Sequence, residues 1–192
     1  KTIHTSQSLM KNYILFLCCL LVIACNDDVQ IKPNAKLRLD YPAPVYKKAV
    51  TDCAYDFDVN KLARVIKTKN CGTRLSYPSM NAAVYITYQK VRNNNLNSLL
   101  YDAQKLAYNH DRIAISIPEK IFENKDHNTY GVFYSINGDA ASQSHFYLTD
   151  SLQNFVTGSL YFDVKPNFDS IYPAVVYLRE DIMRLMETLE WN

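Results

Sequence analysis

The histidines His4, His110, His127 and His145 are the side chains of this sequence best suited to proton transfer or metal binding near neutral pH. Their spacing makes no HExxH motif and no close ligand pair. His145 follows Ser142 and Ser144, so a serine–histidine nucleophile is one reading. Two observations count against it. No G-x-S-x-G elbow exists, and neighbours on a strand point to opposite faces. Asp150, Asp163 and Asp169 could supply the paired carboxylates of glycoside hydrolysis. Each stands at a predicted strand end or helix cap, where carboxylates are more often solvated or structural. The 15 tyrosines could build a platform for sugar or peptide. Tyr55, Tyr77, Tyr85, Tyr130, Tyr134, Tyr147 and Tyr161 sit at strand spacing, however, where sheet packing accounts for them. Only 4 glycines are present, which argues against glycine-rich phosphate-binding loops. The residues thus predict no enzyme, no catalytic group, no metal site and no cofactor.

Cysteine is the informative residue type. Residues 10–25 read MKNYILFLCCLLVIAC: one cation, Lys11, an unbroken apolar run, then Leu21-Val-Ile-Ala24 before Cys25. A basic start, an apolar core of about 7–15 residues and a small residue before the cut describe a secretory signal. The run is too short to span a bilayer, which takes ~20 residues. An apolar triplet ending in Ala and followed by Cys resembles the bacterial lipobox. That resemblance implies a lipidated Cys25 as the mature N-terminus. Residues 1–24 are then a short N-terminal extension plus signal, residues 25–35 a polar tether, and residues 36–192 a single domain. Two of the 21 Lys and Arg, Lys1 and Lys11, precede Cys25, whereas all 19 Asp and Glu follow it. The remainder is neutral, with no electrostatic footprint for nucleic acid and no polybasic patch for anionic lipid. Membrane attachment must come from acyl chains, two or more of which anchor stably. With Cys18 and Cys19 in the signal, Cys53 and Cys71 are left. An oxidising compartment favours a bridge between them; two buried free thiols are the other reading.

The elements that must carry these residues follow from period. Strands are predicted at residues 36–41, 53–59, 73–77 and 82–88, with a short run at 63–68 leading to the turn before Cys71. After Asn93-Asn-Asn95, Leu96, Leu99, Leu100, Ala103, Leu106 and Ala107 line one helix face, with Asn as cap. Ile113, Ile115 and Ile117 restore period two. A charged loop at 123–128 precedes a strand at 130–136, and the strands at 144–150 and 155–163 read as an antiparallel pair. A long final helix is predicted, capped by Asp169-Ser170 with Pro173 in its first turn, Glu180 and Arg184 paired on its exposed side, and an apolar stripe of Ile171, Val175, Leu178, Ile182, Leu185, Met186 and Leu189. This order gives an α+β fold, a mostly antiparallel sheet with one mid-chain helix and a long C-terminal helix packed on it. The loop residues Asn137, Gly138, Asp139, Ala140, Ala141 and Ser142 lie between aromatic strands and show no packing role in the pattern. They are candidates for contact with a partner, with the outer face of the last helix around Arg179, Asp181 and Arg184 second.

Several stretches resemble the gliding-motility lipoprotein family GldD of the Bacteroidetes. They are LRLDYP at 37–42, NNNLNSLL from Asn93, YGVFY at 130–134, AAS at 140–142 with FYLTDS at 146–151, GSLYF at 158–162, KPNFD at 165–169, and Glu180-Asp-Ile182 through ETLEW at 187–191. Cys53 and Cys71 match the family's cysteine pair. The sequence departs from the family pattern at DVNKLARV after Phe57 and at Asp139 and Gln143. The resemblance implies a non-catalytic, lipid-anchored component of the gliding and type IX secretion apparatus. Its partners would be the membrane and other envelope proteins, at the outer membrane facing the periplasm or the cell surface. A lipid-anchored envelope glycan- or peptide-binding module or hydrolase is the alternative. A weaker, fold-level likeness points to the Mog1/PsbP-like fold.

Overall fold

Alternation of apolar and polar residues builds the centre of the molecule. In the computed structural model, which describes residues 39–109, 112–165 and 167–192, the first strands are β1 (Tyr46–Ala49), β2 (Tyr55–Asn60), β3 (Arg64–Lys67), β4 (Thr73–Tyr77) and β5 (Ala82–Lys90). Helix α1 (Leu96–Tyr108) follows, then β6 (Ala114–Ser116), β7 (Glu119–Asn124), β8 (Thr129–Ser135), β9 (Asn137–Gly138), β10 (Ser142–Thr149) and β11 (Asn154–Phe162). Helix α2 (Phe168–Thr188) and β12 (Glu190–Trp191) close the chain. Seven strands form one antiparallel sheet in the order β3-β4-β5-β11-β10-β8-β7, with smaller sheets β1-β2-β12 and β6-β9. The class is α+β, as the period changes predict. The described residues fall in one unit, residues 36–192.

The two faces of the large sheet carry different loads. Inner-face residues Leu75, Val84, Ile86, Phe146, Leu148, Val156 and Leu160 pack with Tyr55, Phe57 and Val59 of β2 and with Leu178, Ile182, Leu185 and Met186 of α2. The predicted apolar stripe of α2 is thus the stripe that is buried, except that Ile171 is only half-buried. On the outer face α1 lays Leu99 and Ala103 against Phe155. This second cluster is small, so α1 covers only part of that face.

Several expectations are corrected. Of the strand expected at 36–41, residues 39–41 are not in a strand and residues 36–38 lie outside the described residues; the first strand begins at Tyr46, beyond Pro42 and Pro44, which lack the ladder donors. Ile113 and Ile115 are not half-buried but 62% and 83% exposed. Ile113 precedes β6 and Ile115 lies in it, and β6 pairs only with the two-residue β9, apart from the large sheet. The supposed charged loop at 123–128 begins inside β7, an edge strand whose Glu119, Lys120 and Glu123 are solvated while Phe122 is buried. The cap of α2 is Asn167, whose Oδ1 accepts from Ser170 N–H at 3.3 Å, so Pro173 sits one turn deeper than predicted. Arg184 reaches across to Asp58 at 2.7 Å rather than along the helix to Glu180. Asn95 stands at the N-cap of α1, but its Oδ1 accepts from Arg92 N–H at 2.8 Å instead of from the helix.

Candidate functional site

Antiparallel pairing places one residue of each strand in line across a sheet face. On the outer face one such line reads Ile66, Arg74, Tyr85, Ser159, His145, Tyr134 and Glu119. Helix α1 covers one end of it. There the Tyr108 ring meets Tyr134 edge-on at 6.2 Å, and the Tyr108 hydroxyl donates to Glu119. The Arg74–Tyr85–Ser159 end is open. It floors a groove of about 800 Å³, walled on one side by Leu106 of α1. Flanking lines add Ser76, Ala83 and Tyr161 on one side and Thr87 and Thr157 on the other.

The groove is built from aromatic faces, hydroxyls and one guanidinium. Tyr85 and Tyr161 meet at 5.8 Å and 76°. The Arg74 guanidinium lies over the Tyr85 ring, 5.2 Å from its centroid, and its Nε is buried without a hydrogen-bond partner. Asp163 and Asn81 stand at the far rim. His145, buried beneath α1, shares a hydrogen bond of 2.6 Å between Nδ1 and Ser159 Oγ. The sequence points instead to Ser142 and Ser144. Their hydroxyls are turned elsewhere, Ser142 donating to Leu160 O at 3.0 Å and Ser144 to Gln143 O at 2.7 Å. Ser159 lies mid-strand in β11, which is paired on both sides. Its backbone neighbours are committed to the ladder, and an oxyanion hole needs free donors. The geometry suits binding better than acyl transfer.

The other predicted residues are spread over the fold. Asp150 closes the β10–β11 turn, accepting from the N–H groups of Leu152, Gln153 and Asn154 at 2.8–2.9 Å. Burial alone would raise its pKa, but these donors outweigh it and hold the carboxyl below its ordinary range. Asp163 follows the opposite end of the nine-residue β11, ~30 Å away and beyond the reach of a carboxylate pair. Asp169 lies in the first turn of α2. Cys25 lies outside the described residues. Cys53 and Cys71 are joined as a disulfide with Cα atoms 5.6 Å apart. Among the described residues no three His, Cys, Asp or Glu converge as a metal site.

The predicted contact stretch differs most from expectation. Gly138, Ala140 and Ser142 are buried, Asn137 is half-buried, and only Asp139 and Ala141 are exposed. Asn137–Gly138 is strand β9, and Gly138 at φ +115° occupies backbone space that favours glycine. Arg179 of α2 fastens the stretch, donating to Ile136 O and Gln143 O at 2.9 Å and to Asn137 Oδ1 at 3.0 Å. Asp139 Oδ1 accepts from Phe168 N–H at 2.7 Å, at the start of α2. The small residues therefore have a packing role that requires knowledge of where α2 docks.

Arg179 and Asp181, expected on an outer face, point inward. Asp181 is buried and accepts from Tyr46 Oη at 2.8 Å and Asn60 Nδ2 at 3.0 and 3.1 Å. Desolvation raises its pKa, opposed by hydrogen bonds from Tyr46, Asn60 and Tyr77. The helical stripe hides this group, because Asp181 sits beside Ile182 at the stripe's margin.

The model of a family described as gliding motility lipoprotein GldD matches residues 26–191. No curated protein matches the sequence.

Proposed function

The chain belongs to the gliding motility lipoprotein family GldD, and on that premise we propose that it is a non-catalytic envelope component of the gliding and type IX secretion apparatus. It is anchored through acyl chains on Cys25 and acts by protein–protein contact, at the outer membrane facing the periplasm or the cell surface. The family match carries the reading, since it begins at Asn26, directly after the lipobox cysteine, and runs through every described element. The committed backbone around Ser159 supports a binding rather than a catalytic role. Within the candidate contact stretch, the exposed Asp139 and Ala141 are the members a partner reaches first.

The test is a Cys25→Ala substitution in gliding cells. It should abolish labelling by a fatty-acid analogue, release the protein from membranes and stop gliding and secretion. Unchanged labelling would overturn the anchor, and normal gliding by the released protein would overturn its need. Cross-linked affinity purification of the wild-type protein should recover a fixed set of envelope proteins. Ala141→Trp should weaken that recovery without lowering the melting temperature.

A further inference from the structure

We propose that the open groove on the outer sheet face binds a short oligosaccharide bearing a carboxylate, with Arg74 as the carboxylate ligand and Tyr85 and Tyr161 as the wall for the sugar rings. Three observations carry it. The first is the charge. Arg74 lines the groove with its guanidinium stacked on Tyr85, which holds the group in place, while its Nε is buried without a partner below the surface. A preorganised guanidinium fork matches a carboxylate in two-point geometry. Arg64, opposite Ser76 on β3, adds a second cation on the same face, whereas Asp163 stands at the far rim. An acidic group therefore enters at the β3–β4 side.

The second observation is the lining. Ser76, Tyr85, Thr87, Thr157 and Tyr161 bring five hydroxyls to a floor opened by Ala83, with the Ser159 hydroxyl turned to His145 beneath them. Hydroxyls both donate and accept, as sugar hydroxyls do. The paired tyrosine rings offer the apolar face that ring C–H groups need. The third is the backbone. An extended peptide docks by adding to a free strand edge. Strands β4, β5 and β11, which floor the groove, are each paired on both sides, so the floor offers no free strand edge. Recognition on this floor rests on side chains, which favours a glycan over a peptide. The size agrees, since binding sites for small ligands run about 300–1,000 Å³.

The experiment uses the whole protein in detergent micelles against an array of oligosaccharides containing uronate, muramate or sialate, each beside its methyl ester. At least one acid should bind about tenfold more tightly than its ester. Arg74→Gln should bring that acid to the level of the ester, and Tyr85→Ala should weaken both. Failure of every acid to bind, or equal binding of acids and esters, overturns the proposal. So does a folded Arg74→Gln protein with unchanged affinity, or a groove that takes up peptides in place of sugars. The comparison of acid with ester on the unaltered protein stands even where Arg74→Gln does not fold. The outcome is independent of Cys25 and of gliding, so it does not share the fate of the anchoring reading.

Discussion

At the scale of single residues, the polar groups that looked available for chemistry are largely spent on structure. Asp150 has four donors around it, three N–H groups on Oδ1 and Asn154 Nδ2 on Oδ2 at 2.7 Å, which commit the carboxylate to the turn. Asp181 is the opposite case, a charge that burial disfavours and hydrogen bonds only partly repay. Its pKa is raised on folding, so the stability it contributes is fully present below the unfolded pKa and is lost as pH rises through the folded one. Asp181→Asn should destabilise by about 2 kcal/mol, because the new amide would face Asn60 Nδ2. Asn60 cannot flip to relieve this, since its Oδ1 accepts from Leu62 N–H at 3.0 Å. Urea melts across pH should show the gap between the two proteins widest at the acid end and narrowing as pH rises. A gap that widens with pH would contradict the assignment.

Among the elements, those with a strong period were legible and those shaped by their neighbours were not. Strand β4 is where alternation puts it, and α1 and α2 coincide with their apolar stripes to within a few residues. Strand β7 was hidden because an edge strand keeps its charges and buries little beyond Phe122. The groove was hidden for a different reason. Tyr85, Ser159 and Arg74 lie on three strands, and only the pairing order brings them into line. Register also explains Gly158, which the sequence leaves as one glycine in a strand. It stands opposite Phe146, whose ring lies where a side chain would go, with Cε1 2.1 Å from an added Cβ. Gly158→Val should therefore cost about 1–3 kcal/mol by overpacking. Thermal unfolding followed by circular dichroism would check it, and a melting temperature equal to that of the unaltered protein would refute the packing argument.

At the scale of the described domain, the large sheet and the β1-β2-β12 sheet share one core with α2. Cys53 precedes β2 of the small sheet and Cys71 precedes β4 of the large one, so their disulfide ties sheet to sheet across 18 residues. Hydrogen bonds gather round it. Tyr55 Oη donates to Cys71 O at 2.9 Å, and Asn192 Nδ2 donates to Cys53 O at 3.1 Å, drawing in the chain just past β12. The local backbone is already turned for the bridge, with Asn70 and Cys71 at φ of 54° and 58°. A native state so arranged keeps its fold without the bond, and the loss falls on the unfolded chain, which regains its loop entropy. The chain-entropy relation puts that loss at ~3 kcal/mol for a loop of this length. A Cys53→Ser, Cys71→Ser double variant should accordingly unfold at lower urea, with near-native circular dichroism beforehand. Non-reducing mass spectrometry of the exported protein should find the two cysteines in one linked peptide pair. Free alkylation of both thiols without reductant, or a double variant as stable as the parent, would remove the bridge from the account.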